Sequence, residues 1–228
     1  MRPVSTADVE KFCPDRYGGR DDAPRYHLSV LSVRERLWID METLERCGKG
    51  VSSEEFLDAI RAGVLAVLDG EEQTKALAVL SGYEEADEAW RDAEKSVPSG
   101  TVNGNVPIEV REARVAHEAA LTRVGRLEDV VSRSYRPLAR LLRVNLERAG
   151  EMAVLYVQCG VRGWDNLAGP CTRAHGRLAD EAVNVIPLDD LAAIAVEVRR
   201  LCELSEADRG NSASPSGVSA TPVPPSAV

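Results

Sequence analysis

The chain is poor in aromatic residues and lacks the sequence motifs of the common catalytic folds. Aromatic side chains make up 4% of its 228 residues. It contains no Gly-x-Ser-x-Gly elbow, no Walker phosphate loop and no dinucleotide fingerprint. The segment 160–163 (Gly-Val-Arg-Gly) lacks the further glycines and the lysine that a phosphate loop needs. We therefore expect a protein without enzymatic activity.

Closely spaced cysteine pairs are also absent. The number of cysteines is odd, which does not suit a disulfide framework of a secreted protein, and they are Cys13, Cys47, Cys159, Cys171 and Cys202. Cys159, Cys171 and His175 offer three ligands for zinc, but no Cys-x-x-Cys pair accompanies them. Cys159 lies in an apolar run, where a small core residue is the simpler interpretation. We expect no metal and no cofactor.

No apolar run approaches the roughly 20 residues that a membrane-spanning helix needs, and residues 1–8 carry no apolar signal core. A soluble, intracellular protein is therefore expected. The formal net charge of −9 argues against nucleic acid as a partner. Acidic side chains accompany the best local cluster of arginines, which favours a solvated helix face; these arginines are Arg133, Arg136, Arg140, Arg143 and Arg148.

The abundant Ala, Leu, Val and Glu favour a mainly α protein, a helical bundle with a long hairpin-like helix. Residues 1–24 are predicted to be an irregular arm. In residues 25–33, Tyr26, Leu28 and Val30 alternate with other residues, which predicts at most a short N-terminal strand. Ser32 and Glu35 have the spacing of a capping box that opens the first helix.

Two further helices complete a predicted N-terminal helical domain, residues 25–97. Ser52 or Ser53 is expected to cap the first of them, and Gly70 to interrupt it. Its apolar stripe recurs every three or four residues and consists of Phe56, Leu57, Ile60, Val64, Val67 and Leu68. The next helix carries Leu77, Leu80, Tyr83, Ala86, Trp90 and Ala93. Residues 98–106, rich in Pro, Gly and Asn, read as a linker.

Residues 107–148 are predicted to form the longest helix, kinked at Pro137. Its inner positions follow a heptad seam, which packs either on this chain's own helices or on a second copy; the seam comprises Val110, Ala113, His117, Ala120, Val124, Leu127, Val131, Ser134, Leu138, Leu141 and Asn145. His117 is interpreted as a structural histidine of that seam.

A C-terminal helical domain is predicted for residues 107–205. It includes a glycine-bounded turn around Trp164, beside which Arg162 and Asp165 can form an ion pair, and a last helix through Leu191, Ile194, Val198 and Leu201. Trp164 is either an anchor that pins the turn to the core or a contact for a partner. Residues 206–228, rich in Ser and Pro, are predicted to be a disordered tail.

This last third of the chain resembles the tail assembly chaperones of siphophages. Proteins of that family often carry a Gly-Trp turn, an apolar helix, a short acidic stretch with Leu and Ser, an Asn-Ser pair and a Ser/Pro-rich tail. The matching segments here are Gly163–Leu167, the helix through Leu191 and Leu201, Cys202–Asp208 and Asn211–Ser214. Residues 26–36 are similar to the extended segment and first helix of the same family.

The resemblance implies a non-enzymatic role in the host cytoplasm. Such proteins bind the long helical tape measure protein, keep it soluble, help to recruit the major tail protein and are absent from the mature virion. Under this hypothesis, the helices in 52–97 and 107–148 form the client surface. The expected contact residues are Phe56, Ile60, Val64, Val124, Leu127 and Val131, together with Trp164, Asp165 and Leu167 around the Gly-Trp turn.

The sequence is also compatible with two other classes of protein. A minor tail or head–tail connector protein that stays in the virion would also be helical and non-enzymatic. A regulatory adaptor that dimerises through a coiled coil would explain the heptad seam but not the tail. A homo-oligomer is compatible with each of these functions.

Overall fold

The computed structural model describes residues 9–97 and 107–209, and it is mainly α, as the composition predicted. Seven helices occur in these residues: α1 (Val33–Cys47), α2 (Ser53–Val67), α3 (Gly70–Lys95), α4 (Ile108–Ser132), α5 (Arg136–Gly160), α6 (Asp180–Val183) and α7 (Leu188–Arg209). The predicted linker at 98–106 and residues 210–228 of the predicted tail lie outside the described part of the chain.

The same residues contain more β-structure than the single predicted strand. Strands β1 (Glu10–Phe12), β2 (Arg25–Leu28) and β3 (Val161–Asp165) form an antiparallel sheet with β2 in the middle. Strands β4 (Arg173–Ala174) and β5 (Arg177–Leu178) form a small hairpin. The predicted arm at 1–24 is therefore partly structured, since it also contributes a short 3₁₀ turn at Asp15–Tyr17.

The chain folds into two compact units, and one of them is discontinuous in sequence. We call Met1–Arg46 with Gly150–Val228 the split unit, and Cys47–Ala149 the inserted unit. This division differs from the predicted domains 25–97 and 107–205. The reason is that α2 and α3 pack on α4, across the predicted boundary, whereas β2 pairs with a strand more than 130 residues later.

In the split unit, the helices cover a sheet whose central strand is fully buried on one face. Tyr26 and Leu28 are 0% exposed, so the alternation read from the sequence is confirmed for β2. They pack in one apolar cluster with residues of α1, α5, β3 and α7, among them Ile39, Leu155 and Ile194. Ser32 and Glu35 form the predicted capping box at the start of α1: the Glu35 carboxylate accepts from the Ser32 N–H at 2.7 Å.

The inserted unit consists of α2, α3, α4 and the first part of α5. Tyr83 and Trp90 of α3 face His117, while the earlier Val79 lines a depression with Ala120, so α3 and α4 run antiparallel as a hairpin. The apolar stripe of α2, one face of α3 and the heptad seam form its core, which consists of Ile60, Val64, Ala76, Leu80, Val124, Val131 and Leu138. The seam thus packs on this chain's own helices.

The predicted long helix 107–148 is two helices. α4 ends at Ser132 and α5 begins at Arg136, so Pro137 lies in the first turn of α5, where its missing N–H costs no intrahelical bond. The kink expected at Pro137 is therefore a break just before it. At the other end, α7 continues to Arg209, beyond the predicted start of the tail at residue 206.

None of the helices described in 9–97 and 107–209 is both long and apolar enough to cross a membrane.

Candidate functional site

An open groove on the inserted unit has two of the predicted contact residues, Phe56 and Val124, in its lining. It has a volume of about 370 Å³ and runs between α2, α3 and α4, next to Asn145 of α5. Its apolar lining consists of Val51, Phe56, Leu57, Tyr83, Leu121 and Val124, and its polar lining includes Ser52, Ser53, Glu128 and Asn145.

The first turn of α2 forms one wall of the groove. Ser52 is the N-cap of this helix, and its hydroxyl accepts from the Glu55 N–H at 3.1 Å. A serine cap satisfies one of the free N–H groups at a helix start. The cap therefore fixes where α2 begins and places Phe56 and Leu57, both half-buried, on the groove side.

Helix α2 packs very closely against the junction between α4 and α5. A Cβ atom on Gly63 would lie 2.3 Å from the Val131 Cγ1 atom and 2.9 Å from the Tyr135 ring. Only glycine allows this distance, because real Cβ atoms do not come so close to a neighbouring carbon. Two turns before Val131 on α4, Val124 is 5% exposed, whereas Leu121, about one turn earlier still, is 51% exposed. Leu121 is thus the apolar side chain that the groove leaves open to a ligand.

A second depression of about 390 Å³ continues the groove along α3, since Leu57 and Tyr83 line both. Its other lining residues are charged, four acidic and two basic: Glu84, Asp87, Glu88, Asp92, Arg91 and Lys95. Asp87 pairs with Arg91 at 2.7 Å and Asp92 with Lys95 at 3.0 Å. Glu84 pairs with Arg61 of α2, so the negative balance of this extension comes from Glu88.

Burial changes the titration of two groups in the groove. It raises the pKa of Glu128, and the charge of the neighbouring Asp129 raises it further. Burial also raises the pKa of Tyr83, with the Asp87 carboxylate acting in the same direction. In both groups the main cause is partial removal of the side chain from water, which disfavours its charged form.

An aromatic cluster supports the groove from the hairpin side. The His117 ring lies 5.6 Å from the Tyr83 ring and 6.5 Å from the Trp90 ring, between centroids. Its Nε2 atom is 3.3 Å from an Asp87 carboxylate oxygen. His117 therefore has the structural position that the seam predicted, and it holds Tyr83 in place.

The predicted contact residues of the inserted unit divide into two groups. Phe56 and Val124 line the groove. Ile60, Val64 and Val131 are 0% exposed and belong to the core, so they cannot touch a partner while the unit is folded. Leu127 is half-buried and packs against the same core. The periodicity of apolar residues predicts which face of a helix is buried. The residues that can contact a partner lie next to that buried face.

Trp164, Asp165 and Leu167 belong to the split unit, and the first two lie on a strand rather than in the predicted turn. Trp164 pairs with Tyr26 in the sheet register, and its indole N–H donates to the Gly169 carbonyl at 3.2 Å. Trp164 and Leu167 are half-buried against the split unit's core. These contacts are those of an anchor.

The ion pair expected between Arg162 and Asp165 is not formed. Successive side chains of a strand point to opposite faces, so residues three apart diverge. Arg162 instead pairs with Glu35 at 3.3 Å. Asp165 lies 3.0 Å from both Lys11 Nζ and His27 Nε2, and hydrogen bonds from His27 and Lys11 lower the pKa of its carboxyl group.

Cys159 of the split unit has the properties of a packing residue. Cys159 is fully buried, and this burial raises the pKa of its thiol to about 11. A thiol with so high a pKa is a poor nucleophile and a poor metal ligand at neutral pH. Within residues 9–97 and 107–209, no three His, Cys, Asp or Glu side chains are grouped so that they could hold a metal ion.

The groove can bind a ligand that is apolar on one side and basic at its edge.

The sequence did not predict Leu121 and Glu128 as groove residues, because neither belongs to the heptad seam that singled out Val124. The available signal was an apolar residue on α4 outside the seam: Leu121 is a large side chain at a position where a solvated helix face would carry a polar one.

Comparisons with known proteins add no relative: no family model matches the chain, and no curated protein or solved structure matches it.

Proposed function

We propose that this protein is a tail assembly chaperone that binds amphipathic helices of a tape measure protein in the groove of the inserted unit. The resemblance of residues 26–36 and of segments within 163–214 to that family suggests the client, and the groove suggests how it is held. The proposed role is non-enzymatic. It is exercised in the host cytoplasm before the particle is complete, and it includes recruitment of the major tail protein.

The exposed apolar lining of the groove carries this proposal. Leu121, which is 51% exposed, lines the groove together with the half-buried Phe56 and Leu57. Grooves of this kind receive the apolar face of a helix, whose anchor side chains recur every three or four residues. A long helical client that exposes such faces aggregates by itself, so covering them keeps it soluble.

Charge supports the same ligand. The acidic balance of the second depression favours a client helix with Lys or Arg beside its apolar face. The net charge of −9 also opposes association between chaperone–client complexes and so keeps them in solution.

Co-expression with the long helical protein encoded next to this chain tests the proposal. We expect that protein to be soluble and to co-purify when both are produced, and to be insoluble when produced alone. An insoluble and unbound client would overturn the proposal. Purified particles that contain this chain at a fixed stoichiometry would instead indicate a structural minor tail or connector protein.

A pair of matched variants assigns the effect to the groove. Leu121→Asp places a charge in the groove lining, whereas Leu65→Asp changes a leucine of similar exposure, 56%, on α2 outside that lining. Client solubility and co-purification should fall at least about tenfold for Leu121→Asp, because an apolar anchor is lost and a charge is buried. Leu65→Asp should behave like the unchanged chain. Equal losses of client solubility in the two variants would show that the groove is not the client-binding surface.

A further inference from the structure

Helix α1 of the split unit exposes a continuous apolar stripe. Val33, Leu37, Met41 and Leu44 recur at steps of four, four and three residues, so they share one face of the helix. Their exposed fractions are 53%, 57%, 70% and 54%. The opposite face is buried, with Ile39 and Thr43 at 0% and 1% exposure. The helix is therefore anchored on one side and presents large apolar side chains on the other.

Such a stripe differs from the scattered apolar residues of an ordinary surface. Single exposed leucines are normal, but four large apolar side chains in a row on one helix form a contiguous patch of the kind that marks an interaction surface. The steps of four and three are also those of a narrow seam between two paired helices.

Two charged residues on the same flank of the stripe indicate the partner. Arg34 and Glu45 lie near opposite ends of α1, and helical geometry places both on one side of the Leu37–Met41 line. Both are exposed, and within the described part of the chain neither has an ion-pair partner. A surface with a positive group at one end and a negative group at the other, on one flank, is complementary to its own reversed copy.

We propose that the α1 stripe is a homodimer interface in which two copies of this helix pack antiparallel. Reversal about a two-fold axis near Ile39 sets Leu37 against Met41 of the second copy and Val33 against Leu44. The same reversal brings Arg34 next to Glu45 of the second copy, and it does so twice. The apolar pairs occur twice for the same reason, because residue i contacts residue j of the copy and j contacts i, as an isologous interface requires.

A parallel pair does not satisfy these charges. In a parallel pair, each flank faces the opposite flank of the other helix, so Asp40 would lie beside Glu45 of the second copy. The antiparallel pair has one unfavourable contact, that of Asp40 with its own copy near the axis. This contact and the short length of α1, 15 residues or about 22 Å, limit the strength of the dimer. A small interface of this kind predicts dissociation in the micromolar range.

Dimerisation would join two client grooves in one particle. Binding of one groove to a long client then raises the effective concentration of the second groove at neighbouring client helices, which increases avidity without any new contact. The dimer interface involves residues of α1 alone, and its test below does not depend on the client.

Analytical ultracentrifugation of the full chain across about 1 to 300 μM tests the interface. We expect a monomer–dimer equilibrium, and Met41→Asp should raise the dissociation constant at least about tenfold because it buries a charge in the seam. The matched control is Leu188→Asp, which changes an 81% exposed leucine at the start of α7 and should leave the equilibrium unchanged. Circular dichroism should show all three proteins folded.

Charge reversal tests the antiparallel arrangement. Arg34→Glu alone or Glu45→Arg alone places like charges together in both pairs, and each should weaken its homodimer about three- to tenfold at low salt. An equimolar mixture of the two variants should restore dimerisation, because a mixed dimer again has opposite charges at both pairs. A parallel dimer gives no such rescue.

Three results would overturn the proposal. They are a chain that remains monomeric throughout the concentration range, a dimer that is insensitive to Met41→Asp, and a mixture of the two charge variants that dimerises no better than either variant alone. A monomeric chain that binds the co-expressed client through α1, shown by loss of binding in Met41→Asp, would assign the stripe to the client instead.

Discussion

The cores of the two units differ in the kinds of side chain that they bury. In the described residues, the buried polar side chains Ser29, Thr43, Gln158 and Asp190 all belong to the split unit. The side chains buried in the inserted unit are apolar throughout, with Gly63 at the closest helix contact. The split unit therefore depends on specific hydrogen bonds between distant segments, whereas the inserted unit depends on packing.

The centre of the split unit's polar network is Asp190 at the start of α7. Its carboxyl group accepts from the hydroxyls of Tyr26 at 2.7 Å and Tyr17 at 2.9 Å, and Arg16 Nε lies 2.7 Å from its other oxygen. Burial and the hydrogen bond to Asp190 together raise the pKa of Tyr26 above its ordinary range, so this phenol remains a donor. One side chain thus joins the 3₁₀ turn, β2 and α7.

Because of this difference, we expect removal of a buried polar group to destabilise the split unit most. A steric change at a helix contact should mainly destabilise the inserted unit. The largest effect is expected for Asp190→Ala, which leaves the buried Tyr26 hydroxyl without its acceptor. We expect a loss of about 3 kcal/mol in the free energy of unfolding, as for other broken buried pairs. Hydrogen exchange of the α7 amides, followed by mass spectrometry, measures it.

The neighbouring Asp189 provides the control for that prediction. It pairs with the same Arg16, at 2.8 Å, but its side chain is 79% exposed. Surface ion pairs contribute little, so Asp189→Ala should change stability by less than about 1 kcal/mol. Similar losses of stability in Asp190→Ala and Asp189→Ala would show that the burial of Asp190 does not determine its contribution to stability.

The second prediction concerns the contact at Gly63. Gly63→Ala would force its Cβ against Val131, and overpacking should cost about 1–3 kcal/mol, more than the gain of about 1 kcal/mol in helix propensity. Gly82→Ala on α3 meets nothing within 4 Å and should be stabilising by roughly 0.5–1 kcal/mol. Thermal unfolding measures both, and a stabilised Gly63→Ala would refute the close packing.

The third prediction uses pH to probe the split unit. Burial acts to raise the pKa of Glu35, but hydrogen bonds from Ser32 and the Arg162 charge outweigh it, and the net pKa is lowered from 4.5. A lowered pKa in the folded state contributes stability above pH 4.5 that is lost as the pH falls through the folded value. Glu35→Gln should therefore cost about 1 kcal/mol at neutral pH.

That cost should shrink as the pH falls below the ordinary pKa of 4.5 and through the lowered folded pKa of Glu35, because the unchanged chain then also loses the carboxylate. Thermal unfolding at several pH values provides the measurement. Glu112→Gln, on the exposed face of α4, serves as the control and should show neither effect. A cost that does not change with pH would mean that the charge of Glu35 is not involved.

The smallest effect, of opposite sign, is expected in the inserted unit. Because the pKa of Glu128 is raised, its contribution to stability is present below its ordinary pKa and is lost as the pH rises through the folded value. Glu128→Gln should therefore raise the unfolding temperature slightly at neutral pH and have no effect in acid. A lower unfolding temperature at neutral pH would indicate that Glu128 has a favourable partner.

Local patterns predicted the parts of the fold that depend on neighbours in sequence. The capping box of Ser32 and Glu35, the Ser52 cap and the buried face of α2 were readable because each involves residues within one or two turns. Fold class followed from composition for the same reason, since helices form from local contacts.

The parts that escaped prediction depend on distant partners. β3 follows α5 without a turn and is a strand because it pairs with β2, more than 130 residues earlier. Gly160 marks this junction: its Cβ would lie 2.5 Å from Val198, a contact that no local pattern reveals. The groove depends on three helices at once, so the sequence indicated Phe56 and Val124 but not Leu121 between them.

Site-specific photo-crosslinking tests the central claim, that the groove of the inserted unit holds the client, most directly. A photoreactive amino acid would replace Leu121 in one protein and Leu65 in another, each co-expressed with the adjacent long helical protein. The account predicts a crosslink to that protein from position 121 and none from position 65. A soluble complex that crosslinks equally from both positions, or from position 65 alone, would contradict it.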